Sequence, residues 1–387
     1  MRDAVVVEAV RSPVGRRKGQ LAEVHPVDLS ATVLNALIER VGISADAVDD
    51  VLWGCVGQVG EQAGNIARNA VLAAGWPEHV AGTTIERQCG SSQQALHFAA
   101  AGVISGQYDI AVAGGVESMT RIPMGSARRV GLGSAYTDAI LKRYDGVEFN
   151  QGLGAETLAA RYDLSRSWLD EYSLESHSRA ARAIDEGRFD RQIASIPLPD
   201  GTKFSTDEGI RRGSTAEKLG QIKPSFVEDG RITAGNSSQI SDGAAALLVM
   251  TSERAKELGL VPLARVHTAT VIGDDPVTML AGPIPATARV LERAGLQLED
   301  IGAFEVNEAF ASVVGAWMRA TGARADRVNV NGGAIAIGHP LGGSGARIAT
   351  TLVHHLRDEG VRYGLQTMCE GGGMANATIF ENLSAKS

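Results

Sequence analysis

Near the start of the chain, apolar positions recur at helical spacing from Asp28 to Arg40 and stop at Gly42. A short acidic stretch follows, then the buried strand-like run Val51-Leu52-Trp53. The same order returns much later. A helical pattern from Pro285 to Arg293 stops at Gly295, a second acidic turn follows, and Ala303-Phe304-Glu305-Val306 reads as a strand. The two glycines stand 253 positions apart (295 − 42). The parallel continues. Thr83 to Arg87 reads as a strand and Ser91 to Ser105 as a helix, with Ala95, Phe98, Ala99 and Gly102 on one face. Gly106 ends that helix, and Asp109 to Ala113 is a strand running into Gly114-Gly115. Their later counterparts are a strand from Arg327 to Asn331, a helix from Gly343 to Asp358 stopped by Gly360, and a strand from Tyr363 to Met368 running toward Gly371-Gly372-Gly373.

Four elements repeated in order predict an α/β protein of two similar halves, each on a mostly parallel buried sheet. Residues 117–244 have no counterpart and read as an insertion, a lid over the two halves. The halves are then 1–116 plus 245–262, and 263–387. Within the insertion, Gly125 to Ser134 and Asp200 to Ser214 read as loops. Its clearest helix has Ser165 as N-cap and runs through Trp168, Leu169, Tyr172 and Leu174 to Gly187.

At 387 residues and 44% hydrophobic composition the chain can bury a large core. Its net charge of −8 argues against non-specific nucleic-acid binding, although a local basic patch is enough to hold a small anion. No apolar stretch is long enough to span a bilayer, and the N-terminal segment enters a strand without a signal-peptide pattern, so the cytoplasm is the expected location. The three cysteines, Cys55, Cys89 and Cys369, have no zinc-site spacing; no metal is expected. Their low, odd number suggests free thiols in a reducing compartment.

Two of these cysteines and one histidine carry the candidate chemistry. Cys89 precedes the helix beginning Gly90-Ser91-Ser92, where the positive helix end and free N–H groups favour a thiolate. The competing reading is a small buried hydrophobe, which the polar flanks Arg87 and Gln88 make a poor fit. His339 lies among glycines at 332, 333, 338, 342, 343 and 345, a backbone suited to close approach. It reads either as a base for a nearby thiol or as an exposed turn imidazole; a phosphate loop is disfavoured by the missing Gly-Lys-Ser/Thr ending. Cys369, before Glu370 and three glycines, reads as a second acid/base thiol, an inert core cysteine or a disulfide partner of Cys89. Asn307 follows a buried strand and reads as a helix cap or as a holder of a water or carbonyl. Cys55, among apolar and glycine neighbours, reads as structural.

Taken together these segments resemble the thiolase family over essentially the whole chain. The resemblance rests on Cys89-Gly90-Ser91-Ser92, Asn307-Glu308-Ala309-Phe310, Gly338-His339-Pro340 and Cys369-Glu370-Gly371, with the returning block Thr233 to Ala246. It implies the duplicated five-layered αβαβα thiolase fold with an inserted loop domain. It also implies thiolysis of 3-ketoacyl-CoA, or the reverse condensation, through an acyl-cysteine, in fatty-acid or sterol side-chain β-oxidation. By resemblance Cys89 is the nucleophile, His339 its base and Cys369 the acid/base, while Asn307 fixes a water. The N–H groups of Cys89 and Gly371 then form an oxyanion hole. Arg211, Phe226, Ala234 and Ser238 match positions contacting coenzyme A, Ala309 and Phe310 match its pantetheine tunnel, and Met279 matches an acyl-pocket methionine. Coenzyme A and acyl-CoA are implied as co-substrates, without metal or prosthetic group, in a homodimer or homotetramer. One departure stands out: Phe149-Asn150-Gln151-Gly152 replaces the His-Met pair of biosynthetic enzymes in the pantetheine loop and is closer to bacterial degradative members. The alternatives are a biosynthetic acetyl-CoA acetyltransferase, a ketoacyl synthase (disfavoured by Cys369), a non-catalytic lipid-binding relative and a thiol-redox protein.

Overall fold

The computed structural model describes residues 2–385. Nine strands form one mixed sheet: β1 (Val5–Arg11), β2 (Asp50–Gly54), β3 (Ala81–Ile85), β4 (Ile110–Ser118), β5 (Ser241–Met250), β6 (Ala264–Gly273), β7 (Ala303–Val306), β8 (Tyr363–Glu370) and β9 (Met374–Glu381). Their spatial order is β7-β8-β9-β6-β1-β5-β4-β2-β3, and a two-residue strand, Gly15–Arg16, pairs with the start of β5. The two halves of this sheet are joined only at Val5↔Arg265 and Val6↔Ala264, where β1 meets β6.

The halves are not mostly parallel, contrary to the sequence expectation. Of the eight pairings along the sheet, β2 with β3, β2 with β4, and β7 with β8 are parallel, and the other five are antiparallel. The reason is local. β8 and β9 form a tight hairpin closing at Glu370↔Met374. Gly372 and Gly373 take positive φ in its turn, so the chain reverses without a crossover helix.

Helices fill both faces. α1 (Pro26–Val41) and α2 (Ile66–Ala73) cover the outside of the first half, and α3 (Ser91–Ser105) its inside. In the second half, α6 (Pro283–Ala294) and α7 (Ala311–Thr321) lie outside and α8 (Ser344–Asp358) inside; α4 (Gln151–Arg161) and α5 (Arg166–Asp185) belong to the stretch between β4 and β5. α3 and α8 pack on each other, so five layers result: helices, sheet, the α3–α8 pair, sheet, helices. Each interface has its own core. Leu34, Leu37, Val51 and Ile66 fill the first outer one, and Leu96, Leu247, Leu352 and Phe380 the middle one. Phe304, Trp317, Leu365 and Ile379 fill the other outer one. All ten residues of β5 are buried, as expected of a strand covered on both sides.

The repeat is visible in cap geometry. α1 ends at Gly42 with φ +75° and α6 at Gly295 with φ +67°, each followed by a one-turn 3₁₀ segment (Ala45–Ala47, Leu298–Asp300). α5 starts where expected, with the Ser165 hydroxyl accepting the Trp168 N–H. Two expectations fail. Phe98 is 47% exposed although Ala95, Ala99 and Gly102 on the same helix are buried. Arg327–Asn331 is not a strand: Val328 makes a single bridge to Phe304, and Asn329 turns the chain at φ +48°. The Asn329 side chain bonds both the N–H and the C=O of Val306, taking over the ladder a further strand would have supplied. No helix among the described residues is long and apolar enough to cross a membrane.

Candidate active site

Cys89 sits in the turn between β3 and α3. Gln88 before it has φ +47°, and Gly90 after it leaves no room for a side chain: a Cβ there would lie 1.8 Å from Glu370 Oε1. The thiol is buried, and the neighbouring backbone N–H groups of Cys89 and Gly371 act to lower its pKa. These favour the thiolate, as a helix end should. Burial works against them more strongly, and the neighbouring Glu370 adds to it, so the thiol is pushed up to about 12. The expected net stabilisation of a resting thiolate is therefore overturned: the helix end is present but desolvation outweighs it. Cys89 waits as a thiol and needs a base.

The tautomer of His339 can be derived from its hydrogen bonds. The single proton of the Ser344 hydroxyl goes to the Pro340 carbonyl at 2.8 Å. Ser344 Oγ must then accept at its 2.5 Å contact with His339 Nδ1, which places the ring proton on Nδ1 and leaves Nε2 unprotonated, an acceptor. Burial, and then the positive charge of Arg347, push the imidazole down to about 3, so it is neutral at pH 7. The backbone N–H of His339 donates to Ser241 Oγ at 3.1 Å. Gly338 has φ +119°, and a Cβ there would lie 2.4 Å from that same oxygen. The imidazole is thus not an exposed turn residue.

Asn307 follows β7 and does not cap α7, which starts four residues later with Phe310 as its N-cap. Its amide nitrogen lies 3.4 Å from His339 Nε2, and its Oδ1 is buried without a hydrogen-bond partner among the described residues. Cys369, near the end of β8, is buried beside Met279, Phe310 and Ile335. Burial holds its thiol well above the ordinary range, with further contributions from Cys89 and Glu370. All three cysteines are free, so a Cys89–Cys369 disulfide is not formed.

A cleft of about 730 Å³ reaches Cys89, while His339, Asn307 and Cys369 lie outside its lining. Cys89, Gly371 and Gly372 line it together with Met279, Phe310, Phe226 and Phe149. Met279 is held at φ +61°, a conformation that costs a non-glycine residue free energy. Asn150 caps α4, its side chain accepting the Gly152 and Leu153 N–H groups, and belongs to the same wall. The Phe226 and Phe310 rings meet edge to face at 6.0 Å. Ser238 donates its N–H to the Ala309 carbonyl, which carries the Thr233–Ala246 block to the edge of the site. Arg211 and Ala234 are exposed and do not line the cleft; the Arg211 N–H bonds His177 Nδ1.

Three participants went unnoticed in the sequence: Ser344, Glu117 and Glu370. Glu117 and Glu370 had a legible signal, each being a charged residue at or next to the end of a buried strand beside glycines. Ser344 had none beyond its distance from His339. Among the described residues no group of three or more His, Cys, Asp and Glu is placed to hold a metal ion.

An imidazole with Nε2 unprotonated, two unbridged thiols and a cleft that reaches Cys89, on a duplicated five-layer fold, suit an acyltransferase. Comparison with known proteins narrows it. The family model for the thiolase N-terminal domain matches residues 4–253, and that for the thiolase C-terminal domain matches 260–382. The chain is 49% identical to a steroid 3-ketoacyl-CoA thiolase of Mycobacterium tuberculosis, covering 99% of this chain and 95% of that protein. It is 42% identical to a 3-ketoacyl-CoA thiolase of Idiomarina loihiensis over 99% of this chain and all of the other. Among solved structures, the acetyl-CoA acetyltransferase of Bacillus anthracis superposes with a TM-score of 0.90 at 40% identity, covering 99% of both chains. The chain belongs to the thiolase family.

Proposed function

We propose that this thiolase cleaves 3-ketoacyl-CoA with coenzyme A, giving acetyl-CoA and a shortened acyl-CoA, in β-oxidation of fatty acids or sterol side chains. In the first half-reaction the Cys89 sulfur attacks the 3-keto carbon while His339 Nε2 takes the thiol proton. The bond between C2 and C3 breaks, and the acetyl-CoA carbanion takes a proton from Cys369. The acyl group is left on Cys89 as a thioester. In the second half-reaction Cys369, now a thiolate, deprotonates the incoming CoA thiol, which attacks the acyl-cysteine; Cys89 leaves and recovers its proton from His339. The N–H groups of Cys89 and Gly371 stabilise one oxyanion. The free Oδ1 of Asn307 suits it to hold a water that, with His339, polarises the other thioester oxygen.

The observation that carries this reading is the convergence of Cys89 and Gly371 on the wall of one cleft, with Met279 and Phe310 of the second half beside them. In the same reading Phe226, Ala309 and Phe310 hold the pantetheine arm, Ala234 and Ser238 contact coenzyme A, and Arg211 pairs with its nucleotide part. The exposure of Arg211 and its lack of an ion-pair partner among the described residues support that role. The reading of 117–244 as an inserted lid, with halves 1–116 plus 245–262 and 263–387, is supported by β4 ending at Ser118 and β5 starting at Ser241. We place the enzyme in the cytoplasm as a homodimer or homotetramer acting on small-molecule acyl-CoA, with no metal, prosthetic group, nucleic acid or membrane involved.

One observation favours a second reading. Met279 is buried on the cleft wall and narrows it, which suits a biosynthetic acetyl-CoA acetyltransferase. A non-catalytic lipid binder is disfavoured because none of the four reactive residues is missing. The test is brief exposure to acetyl-CoA followed by peptide mass spectrometry. An acetyl group on the Cys89 peptide is expected, and an adduct found only on Cys55 or Cys369 overturns the assignment. A thiolysis assay across chain lengths, with a sterol-derived substrate included, separates the two readings.

A further inference from the structure

Glu117 has no place in the mechanism above, yet it is the one carboxylate that ties the His339 loop to the nucleophile half. It lies one residue before the end of β4, is 2% exposed and belongs to the wall of the cleft. Its Oε2 accepts the N–H groups of Val56 and Gly342, both at 2.9 Å. Its Oε1 accepts the Gly57 N–H at 2.9 Å and the Gln62 Nε2 at 2.7 Å. Gln62 cannot be turned the other way, because its Oε1 takes the Ser118 N–H at 2.8 Å. Four donors therefore face one side chain, a demand that only an acceptor-only ionised carboxylate meets. An amide at this position would set its own NH₂ against donors.

Val56, Gly57 and Gln62 belong to the first half, whereas Gly342 lies three residues after His339. The turn carrying Gly342 is seated on bare backbone. A Cβ at Gly115 would lie 2.3 Å, and one at Gly54 2.6 Å, from the Gly342 carbonyl oxygen. From Gly342 the connection to the base is short. The 3₁₀ turn Leu341–Gly343 leads into Ser344, whose hydroxyl spans the Pro340 carbonyl and His339 Nδ1. A second link runs from the Ala346 N–H to Ser92 Oγ on α3, the helix that Cys89 precedes.

We propose that Glu117 is a positioning residue that holds the His339 loop of the second half in register with Cys89 of the first. The proposal rests on the reading of His339 as the base for Cys89. Its effect is on the rate of Cys89 acylation rather than on binding of acyl-CoA, because neither Glu117 nor Gly342 is assigned to the coenzyme A contacts. A displacement of the base by about 1 Å costs roughly 100-fold in rate.

The experiment is a double-mutant cycle on the full chain, read by quenched single-turnover acetylation of Cys89 with acetyl-CoA. Glu117→Gln is expected to slow acylation by about 100-fold, with the acetyl-CoA concentration for half-maximal rate changed less than about threefold. In a His339→Ala background the same substitution should slow acylation no further, since the base it positions is gone. Gln62→Met removes one of the four donors and keeps the carboxylate, so it should slow acylation by about 10-fold and also lose its effect in the His339→Ala background. It provides the decisive pair should Glu117→Gln fail to fold. Equal slowing with and without His339 would mean Glu117 and Gln62 only support the fold, and would overturn the proposal, as would parent-like acylation in the folded variants. Failure of the parent itself to acetylate Cys89 would instead strike the proposed function.

Discussion

In the proposed mechanism Cys369 and His339 serve different bonds, so the two can be separated experimentally. Cys369→Ala removes the group that exchanges protons with the acetyl-CoA carbanion and with the incoming CoA, while His339 still activates Cys89. Thiolysis and condensation should fall by about 10³-fold or more, yet acetylation of Cys89 from acetyl-CoA should survive in part, as read by intact mass. Loss of both in a folded variant would give Cys369 another role. The pH dependence follows from the same residues. Burial and Arg347 hold His339 down to about 3, and burial with Glu370 holds Cys89 up to about 12. The reactive pair, neutral base and neutral thiol, is therefore the majority form between those values. Single-turnover acetylation should be flat from about pH 5 to about pH 9. A limb near the ordinary histidine value of about 6.5 would show that the imidazole is less desolvated than its burial indicates.

Among elements, the segment leading into α4 and the Met279 loop decide substrate size between them. Asn150 is committed to capping α4, so it presents backbone and the Phe149 ring to the cleft rather than a His-Met pair. The wall beyond includes Ile122, Met124 and Leu132, apolar surface that a longer acyl chain can cover. Each buried methylene contributes about 0.8 kcal/mol, so a few carbons should change relative kcat/KM by about tenfold or more. Competition between acetoacetyl-CoA and a 3-ketoacyl-CoA of about eight to ten carbons, a span chosen to expose that increment, should favour the longer substrate. Preference for acetoacetyl-CoA would mean that Met279 dominates and that the biosynthetic reading leads.

For the whole molecule, the interface between the halves buries charge as well as apolar surface. Glu305 on β7 is raised to about 8, chiefly by burial, with Arg347 on α8 partly opposing the shift. Its folded value lies above the ordinary carboxylic-acid value of 4.5, so the folded state holds the proton more tightly. That contribution is complete below the unfolded value and is lost as pH rises through about 8. Glu305→Gln, which resembles the protonated acid, should match the parent's thermal midpoint at about pH 4 to within about 2 °C and exceed it by a growing margin as pH rises to about 9. Equal pH slopes for the two proteins would show that Glu305 is not the group being titrated.

Much of this protein was legible in one dimension. The helix stops at Gly42 and Gly295, the Ser165 cap, the apolar runs of β4 and β8 and the doubled order of elements are all local, set by backbone freedom and side-chain periodicity within a few residues. The reactive residue types could also be picked out, because Cys89, His339 and Cys369 sit in polar or glycine-rich settings that a core residue would not need. Only the folded chain decided the rest. Strand direction depends on which distant strand lies alongside, so the antiparallel β5, β6 and β9 left no mark in the hydrophobic pattern. The protonation states of Cys89 and His339 were set by desolvation from residues hundreds of positions away, which reversed the expectation drawn from a helix end. The four donors around Glu117 come together where the two halves meet. Hydrogen-bond partners brought together by packing have no periodicity to announce them.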